Sequence, residues 1–287
     1  PGRILAGKRF GNNIVAHKQR AMYLGVYVGP PVIWDFQELP GQVGALGQGA
    51  VVDIGTPEAP IHLFIGYNDF YRFDGARASP IPNGLKETVF RELNRDLSHL
   101  SRVLHDRDNG RVYFFYCTSA SIRPDKCVVY NYRTNKWGRD DQTIEDVIEF
   151  VAGSLTYAGV GSLFSTYASL PESSYSDAFF SAGTPVPAVF NTSHKVDTLS
   201  GAPTTSSLTT GDMGSEESFS LLNRVIPKWL SKPSSCNMVN FYRTNSLGDG
   251  LSMGTTTPMD SRSRFDVQVE AKWHRLRFDF VGQAELP

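Results

Sequence analysis

The chain has 287 residues, a formal net charge of −1, and 28 Lys and Arg against 29 Asp and Glu. A balance this even excludes a general electrostatic attraction to nucleic acid or to an anionic membrane, so contact with either would have to be local. Aromatic residues make up 12% beside 26 Gly and 17 Pro, which suits many short strands joined by tight turns and predicts an all-β class.

In chain order, strands are predicted over Asn13 to His17, Ala21 to Gly29 and, after the Pro30-Pro31 break, Val32 to Leu39. A glycine-rich stretch from Gly41 to Gly49 follows, then strands over Val51 to Ile54 and Ile61 to Ile65. Turn residues at nearly every tenth position fit a meander of antiparallel strands. Val89, Leu93, Leu97, Leu100 and Leu104 break the pattern with spacings of four, four, three and four, the period of a short amphipathic helix near residues 85–97. Arg102 to Asp106 and Arg111 to Cys117 read as a hairpin through Asn109-Gly110. Ile144, Val147, Ile148 and Val151 suit a helix by spacing and a strand by their flanks; a strand is expected there. Strands resume over Ser218 to Leu230 and Cys236 to Tyr242. From Phe265 to Trp273 apolar and polar residues alternate strictly, and at Leu276 the phase shifts by one, which predicts a bulge or a new strand near His274-Arg275.

Two stretches about a hundred residues apart share a tetrapeptide, Tyr132-Arg133-Thr134-Asn135 and Tyr242-Arg243-Thr244-Asn245. Each runs from an aromatic and β-branched strand into a polar turn, and Leu63 to Gly75 has the same form with Asp74-Gly75 as its turn. Recurrent strand-turn units at this spacing predict a radial, β-propeller-like arrangement of antiparallel meanders. Three segments are expected: propeller blades over 1–170, a Ser/Thr/Pro/Gly-rich loop or excursion over 171–217, and closing strands of the same propeller over 218–287. Deletion of residues 200–208, within that excursion, is expected to impair assembly while leaving the fold intact.

Few motifs carry chemistry. Gly44 to Gly49 lacks the spacing and strand-helix setting of a phosphate loop, and glycines permitting positive φ between strands explain it. Asp106 to Gly110 opens like a calcium loop but lacks the closing glutamate, and a hairpin turn explains it. His17, His62, His99, His105, His194 and His274 show no metal-ligand spacing. Cys117, Cys127 and Cys236 form no CxxC motif and read as packed free thiols, with a cross-strand bridge between the first two as the alternative. No catalytic residue, cofactor or metal is expected. Basic residues interleaved with aromatics mark Arg133, Lys136, Arg139, Lys272, Arg275 and Arg277 as candidate contacts to a phosphate backbone; charge that protects half-exposed strands from edge pairing is the competing explanation. No apolar run approaches the roughly 20 residues that cross a bilayer. No signal peptide is expected, and a start at Pro1 without methionine is what a trimmed or partial product would have.

The ordered set Met22 to Gly29, Gly66 to Gly75, Pro80-Ile81-Pro82, Val89 to Asn94, Val112 to Tyr116 and Val128 to Trp137 resembles the tail nozzle or tail hub proteins of short-tailed phages, also called packaged-DNA stabilisation proteins. The likeness covers most of residues 13–153 and is weaker from Val189 to Glu285, where His194, Leu199 to Gly201, Thr210 to Asp212 and Trp273 to Arg277 are similar to the family's closing blades. It implies a non-enzymatic virion protein, assembled in the host cytoplasm into a homo-oligomeric ring of six copies. Such a ring contacts a portal-adaptor protein and tail fibre or spike proteins, and touches double-stranded DNA transiently and without specificity. The chain is shorter than familiar members, which bears on ring closure within one subunit. The alternative is a glycan-binding or glycan-cleaving propeller, lectin-like or sialidase-like, against which stands the absence of repeated Ser-x-Asp-x-Gly-x-Thr-Trp turns. An intracellular kelch-type scaffold is a third reading that the irregular repeat spacing disfavours.

Overall fold

The computed structural model describes residues 2–150, 166, 186–199, 205–245, 250–282 and 284. Two compact units divide the chain, Pro1–Ser200 and Gly201–Pro287. Both are built of antiparallel strands, and among the described residues one α-helix is present. None of those residues forms a helix long and apolar enough to cross a membrane.

The first unit holds four small sheets in chain order. Sheet I is the meander β1 (Ala6–Phe10), β2 (Asn13–His17), β3 (Met22–Gly29) and β4 (Ile33–Leu39). Sheet II repeats the plan with β5 (Val51–Asp53), β6 (His62–Ile65), β7 (Phe70–Phe73) and β8 (Ala78–Pro80). Sheet III does so with β9 (Arg102–Asp106), β10 (Arg111–Tyr116), β11 (Lys126–Asn131) and β12 (Lys136–Asp140). Sheet IV has three described strands, β13 (Asp146–Phe150), β14 (Val186–Phe190) and β15 (Val196–Thr198). The strands expected between Asn13 and Ile65 are all present within a residue or two of their expected ends. The ambiguous stretch at 144–151 is strand through Phe150, and Val151 lies outside the described residues.

Alternation fixes how these sheets stack, because successive side chains point to opposite faces. Along β6, Phe64 packs toward sheet I with Phe10, Val15 and Phe73, while Leu63 and Ile65 pack toward sheet III with Phe70, Val112 and Phe114. Along β10 the same division recurs: Phe114 faces sheet II, and Phe115 joins Leu104, Cys127, Ile144 and Val189 against sheet IV. Sheets II and III are therefore apolar on both faces.

The helix α1 (Lys86–Glu92) is shorter than its leucine spacing predicts. Val89 is buried in the core between sheets II and III and Lys86 pairs with Asp69 at 2.7 Å, but Leu93 is already extended and bridges Thr118. Asn94 Oδ1 accepts the Asp96 amide at 3.1 Å, a local bond that competes with helical hydrogen bonding. Leu97 precedes and Leu100 ends a single 3₁₀ turn at Ser98–Leu100. The β9–β10 hairpin turns through Gly110, whose φ of 65° suits glycine.

The second unit has one larger sheet in the order β16 (Thr205–Thr209), β22 (Trp273–Val281), β19 (Ser235–Arg243) and β20 (Ser252–Pro258), with β17 (Met213–Gly214) also paired to β22. The pair β18 (Ser220–Val225) and β21 (Phe265–Ala271) packs on it through Met238, Phe265, Leu276 and Phe278. The predicted change of phase is a change of sheet: β21 ends at Ala271 and β22 begins at Trp273. The segment 171–217, expected to be a loop or excursion, includes the strands β14, β15, β16 and β17 among its described residues, joined by turns. Residues 205–208 form most of β16, whose ladder runs along β22. Their removal would strip an edge from the sheet, which bears against the expectation that deleting residues 200–208 leaves the fold; residues 200–204 lie outside the described residues. Sequence composition hid this strand because all five of its residues are exposed and none needs to be large or apolar.

His17 and His62 lie fully buried between sheets I and II, their rings 6.1 Å apart. Neither ring nitrogen of His17 has a hydrogen-bond partner, whereas His62 Nε2 lies 2.9 Å from the Arg9 carbonyl. Burial, with His62 alongside, lowers the His17 pKa from 6.5 to about 3, and burial also lowers that of His62. The unfolded chain takes up a proton as the pH drops below the ordinary histidine value and the folded chain does not, so stability falls from there down to the folded value. For His17 alone the expected slope is about 1.4 kcal/mol per pH unit. Hydrogen exchange of the β2 and β6 amides, corrected for intrinsic rate, should show it, and His17→Leu should reduce the slope. A protection free energy constant over that range would contradict the assignment.

Candidate functional site

The six basic candidates fall into two groups, one in each unit. Arg133 sits in the β11–β12 turn, where Asn131 Oδ1 accepts the Arg133 and Thr134 amides at 3.0 and 3.1 Å and fixes the loop. Its guanidinium donates from Nη2 to the Arg107 carbonyl and from Nη1 to the Asp108 carbonyl, both at 3.1 Å, tying the two hairpin turns of sheet III together. Lys136 opens β12 and is exposed. Arg139, on the same strand, donates to Glu92 at 2.9 Å and holds α1 to the edge of sheet III.

In the second unit Arg275 donates to Asp212 Oδ1 at 2.7 Å, and Arg243 donates to Asp212 Oδ2. The bond from Arg275 is the main cause of an Asp212 pKa held below the ordinary carboxylate range. Arg277 pairs with Asp279 at 3.1 Å and lies over Phe241, its guanidinium 5.6 Å from the ring centroid. The Lys272 ammonium lies 5.7 Å from the Phe219 ring centroid. Arg133, Arg139, Arg275 and Arg277 therefore make intramolecular bonds that a phosphate would have to displace.

The repeated tetrapeptide has two fates. Its first copy is the β11–β12 turn, closed by Asn135 at a φ of 55° and by the Tyr130 hydroxyl, which donates to Asn135 Oδ1 at 2.7 Å. In the second copy β19 continues through Arg243, whose carbonyl accepts the Lys272 amide at 3.1 Å. Arg243 is a buried ion-pair residue there and not a turn residue.

The first strands of sheets I–IV, namely β1, β5, β9 and β13, line one cavity of about 530 Å³ within the first unit. Lys8 comes from β1, Val51 and Val52 from β5, Arg102 and His105 from β9, and Asp146 and Glu149 from β13. Arg102 Nε donates to Asp146 at 2.6 Å, joining sheet III to sheet IV across this space. His105 is buried, its Nε2 lies 3.1 Å from the Tyr132 hydroxyl, and burial pushes its pKa down. Sequence reading did not single these residues out. Their common signal is position, since each belongs to the opening strand of a meander.

The remaining motifs are structural. Asp106 accepts the Asn109 amide at 3.2 Å and its side-chain nitrogen at 2.8 Å, so the calcium-like residues close a hairpin. Among the described residues no group of three or more His, Cys, Asp or Glu is placed to hold a metal ion. All three cysteines are free and buried; burial raises Cys117 and Cys236 to about 11 and Cys127 well above its ordinary value. Gly44, Gly47 and Gly49 do not have positive φ, which corrects the expectation for that loop. They are needed for close approach: a Cβ on Gly44 would fall 1.7 Å from the Lys18 carbonyl oxygen, and one on Gly47 2.9 Å from that of His99. No protein-family model matches the chain, and no curated protein matches it.

Two substitutions test these assignments. Gly44→Ala should destabilise the first unit by about 1–3 kcal/mol or more, since backbone must move, while Gly84→Ala, where the added Cβ meets nothing within 4 Å, should stay within about 0.5 kcal/mol. Asp212→Ala should destabilise the second unit by about 2 kcal/mol by removing charge-assisted hydrogen bonds from two arginines. Thermal melts followed by circular dichroism would measure both; equal effects of the two glycine variants, or no effect at Asp212, would refute the respective argument.

Proposed function

We propose that this protein is a structural virion component, a subunit of a ring-shaped tail nozzle or hub that conducts and retains the genome of a short-tailed phage. Its first unit is a β-propeller-like array, and several copies, six by analogy with the resembling family, close the ring between a portal-adaptor protein and distal fibres or spikes. The observation that carries this reading is the gathering of β1, β5, β9 and β13 around one cavity, with each meander stepping away from it and each sheet packed on the next. Radial repetition of this kind buries sheet faces and makes rigid units whose loops can dock neighbours.

The electrostatics fit a conduit. Arg133, Arg139, Arg275 and Arg277 are held by backbone carbonyls, Glu92, Asp212 and Asp279, so a phosphate reaching any of these four has a partner to displace. Retained counterions mean weak, salt-tolerant contact and no strong brake on a moving duplex.

Negative-stain electron microscopy of the purified full chain, alone and with the candidate adaptor from the same genome, tests the proposal. Symmetric annuli are the expected result, together with no retention of duplex DNA on the protein at physiological salt. A protein that stays monomeric with every tail partner, or that hydrolyses or specifically binds a surface glycan, would overturn it.

A further inference from the structure

Two exposed apolar surfaces carry charges of opposite sign. The β3–β4 hairpin presents Tyr27, Val28, Val32, Ile33 and Phe36 to solvent, with Tyr27 60% and Phe36 50% exposed. Tyr27 and Trp34 are cross-strand partners in edge-to-face contact at 5.7 Å, and Phe36 lies on the same face, two residues along the strand. The charged residues of this segment, from Ala21 to Pro40, are Asp35 and Glu38, both acidic and both exposed. In the second unit Phe219, Leu221, Ile226 and Leu230 are each more than half exposed, up to 67% at Leu230. The charged residues from Phe219 to Lys232 are Arg224, Lys228 and Lys232, all basic; Arg224 is paired with Asp266 of the neighbouring strand β21, and Glu270 of that strand stands opposite Leu221.

Each surface also includes an open sheet edge. β4 ends sheet I and β18 ends its two-stranded sheet, so each leaves a row of backbone groups without a strand alongside among the described residues. A seven-residue edge strand with apolar neighbours is a template for pairing unless something covers it. Contiguous exposed apolar patches mark interaction surfaces, and complementary charge at the rim selects the partner and its orientation.

We infer that the acidic aromatic hairpin β3–β4 of one copy docks on the basic apolar strip Phe219–Lys232 of a second copy. Glu38, on the face of Trp34 and Phe36, and Asp35, on the opposite face of the same edge strand, rim this contact and meet Lys228 and Lys232, while the apolar residues supply its dry centre. Because the two patches are different surfaces of the same chain, the contact is head-to-tail, and its repetition yields a closed ring or an open filament. The inference rests on the ring reading and names the surfaces that would join its subunits.

Sedimentation velocity of the full chain, with circular dichroism to confirm folding, tests the contact by charge exchange. One variant carries Asp35→Lys and Glu38→Lys; a second carries Lys228→Glu and Lys232→Glu. Each alone should dissociate, its dissociation constant rising about tenfold or more. An equimolar mixture should reassemble, since each reversed hairpin then meets a reversed strip. Leu221→Asp, which alters the strip alone, should dissociate the assembly as well and serves if a double variant fails to fold. Assembly of either reversed variant as in the wild type, or a mixture that stays dissociated, would overturn these surfaces and leave the ring reading standing. A wild type monomeric at every concentration and with every tail partner would overturn both.

Discussion

Burial of both faces of sheets II and III is the constraint on which the first unit depends. A four-strand meander with one apolar face needs a single partner; one with two needs a neighbour on each side, and stacking must continue until a sheet is reached whose outer face tolerates water. β6 meets this condition through Leu63 and Ile65 on one side and His62 and Phe64 on the other, all four buried. β10 meets it through Phe114 and Phe115, neither exposed to solvent. Sheet I ends the series on one side, where β4 is almost wholly exposed. Since packing continues from sheet to sheet, a lost side chain in β6 or β10 disturbs two interfaces at once.

Placing two histidines in the first of these interfaces is costly in acid. Phe10 and Phe64 meet the His62 and His17 rings edge-on, at 5.1 and 5.0 Å, so the His17 imidazole acts there as a flat apolar group, while His62 keeps one hydrogen-bond contact, to the Arg9 carbonyl. That arrangement holds only while both are neutral. The cysteines behave similarly: raised well out of the thiolate range, they fill space in the sheets and have little nucleophilic character at neutral pH.

Much of this was legible before the structure. Strand limits from Asn13 to Ile65, the hairpin at Asn109-Gly110 and the change of phase after Phe265 followed from alternation and turn chemistry, which act over a few residues; β1 (Ala6–Phe10) was missed. The sequence could not reveal what depends on distant partners. Lys272 changes sheet because β21 pairs with β18 and β22 with β19. The Arg of one Tyr-Arg-Thr-Asn copy caps a turn and that of the other is buried against Asp212, a residue thirty-one positions away. Leucine spacing from Val89 to Leu104 suggested a helix through much of that run, yet Leu93 is already extended and the Asn94 side chain takes the Asp96 amide. The cavity was illegible for a further reason: its lining comes from separate sheets, and no local pattern distinguishes Lys8 or Glu149 from other charges on half-exposed strands.

The lining of that cavity also bears on where a genome could pass. Lys8, Arg102 and His105 face Asp146 and Glu149 across about 530 Å³, and Arg102 is closed onto Asp146 at 2.6 Å. Mixed signs offer a phosphate backbone no net attraction. The size decides the point more firmly, since this is the volume of a small-molecule site and a duplex has a major groove alone about 12 Å wide. On the proposed reading DNA therefore cannot run through the axis of one subunit, and the passage has to be an opening bounded by several copies. The first unit then acts as a rigid stave whose own cavity is crossed by the Arg102–Asp146 pair, and on that reading conduction is a property of the assembly. It follows that the surfaces joining one copy to the next, and not the cavity within each, are where a substitution would reach function.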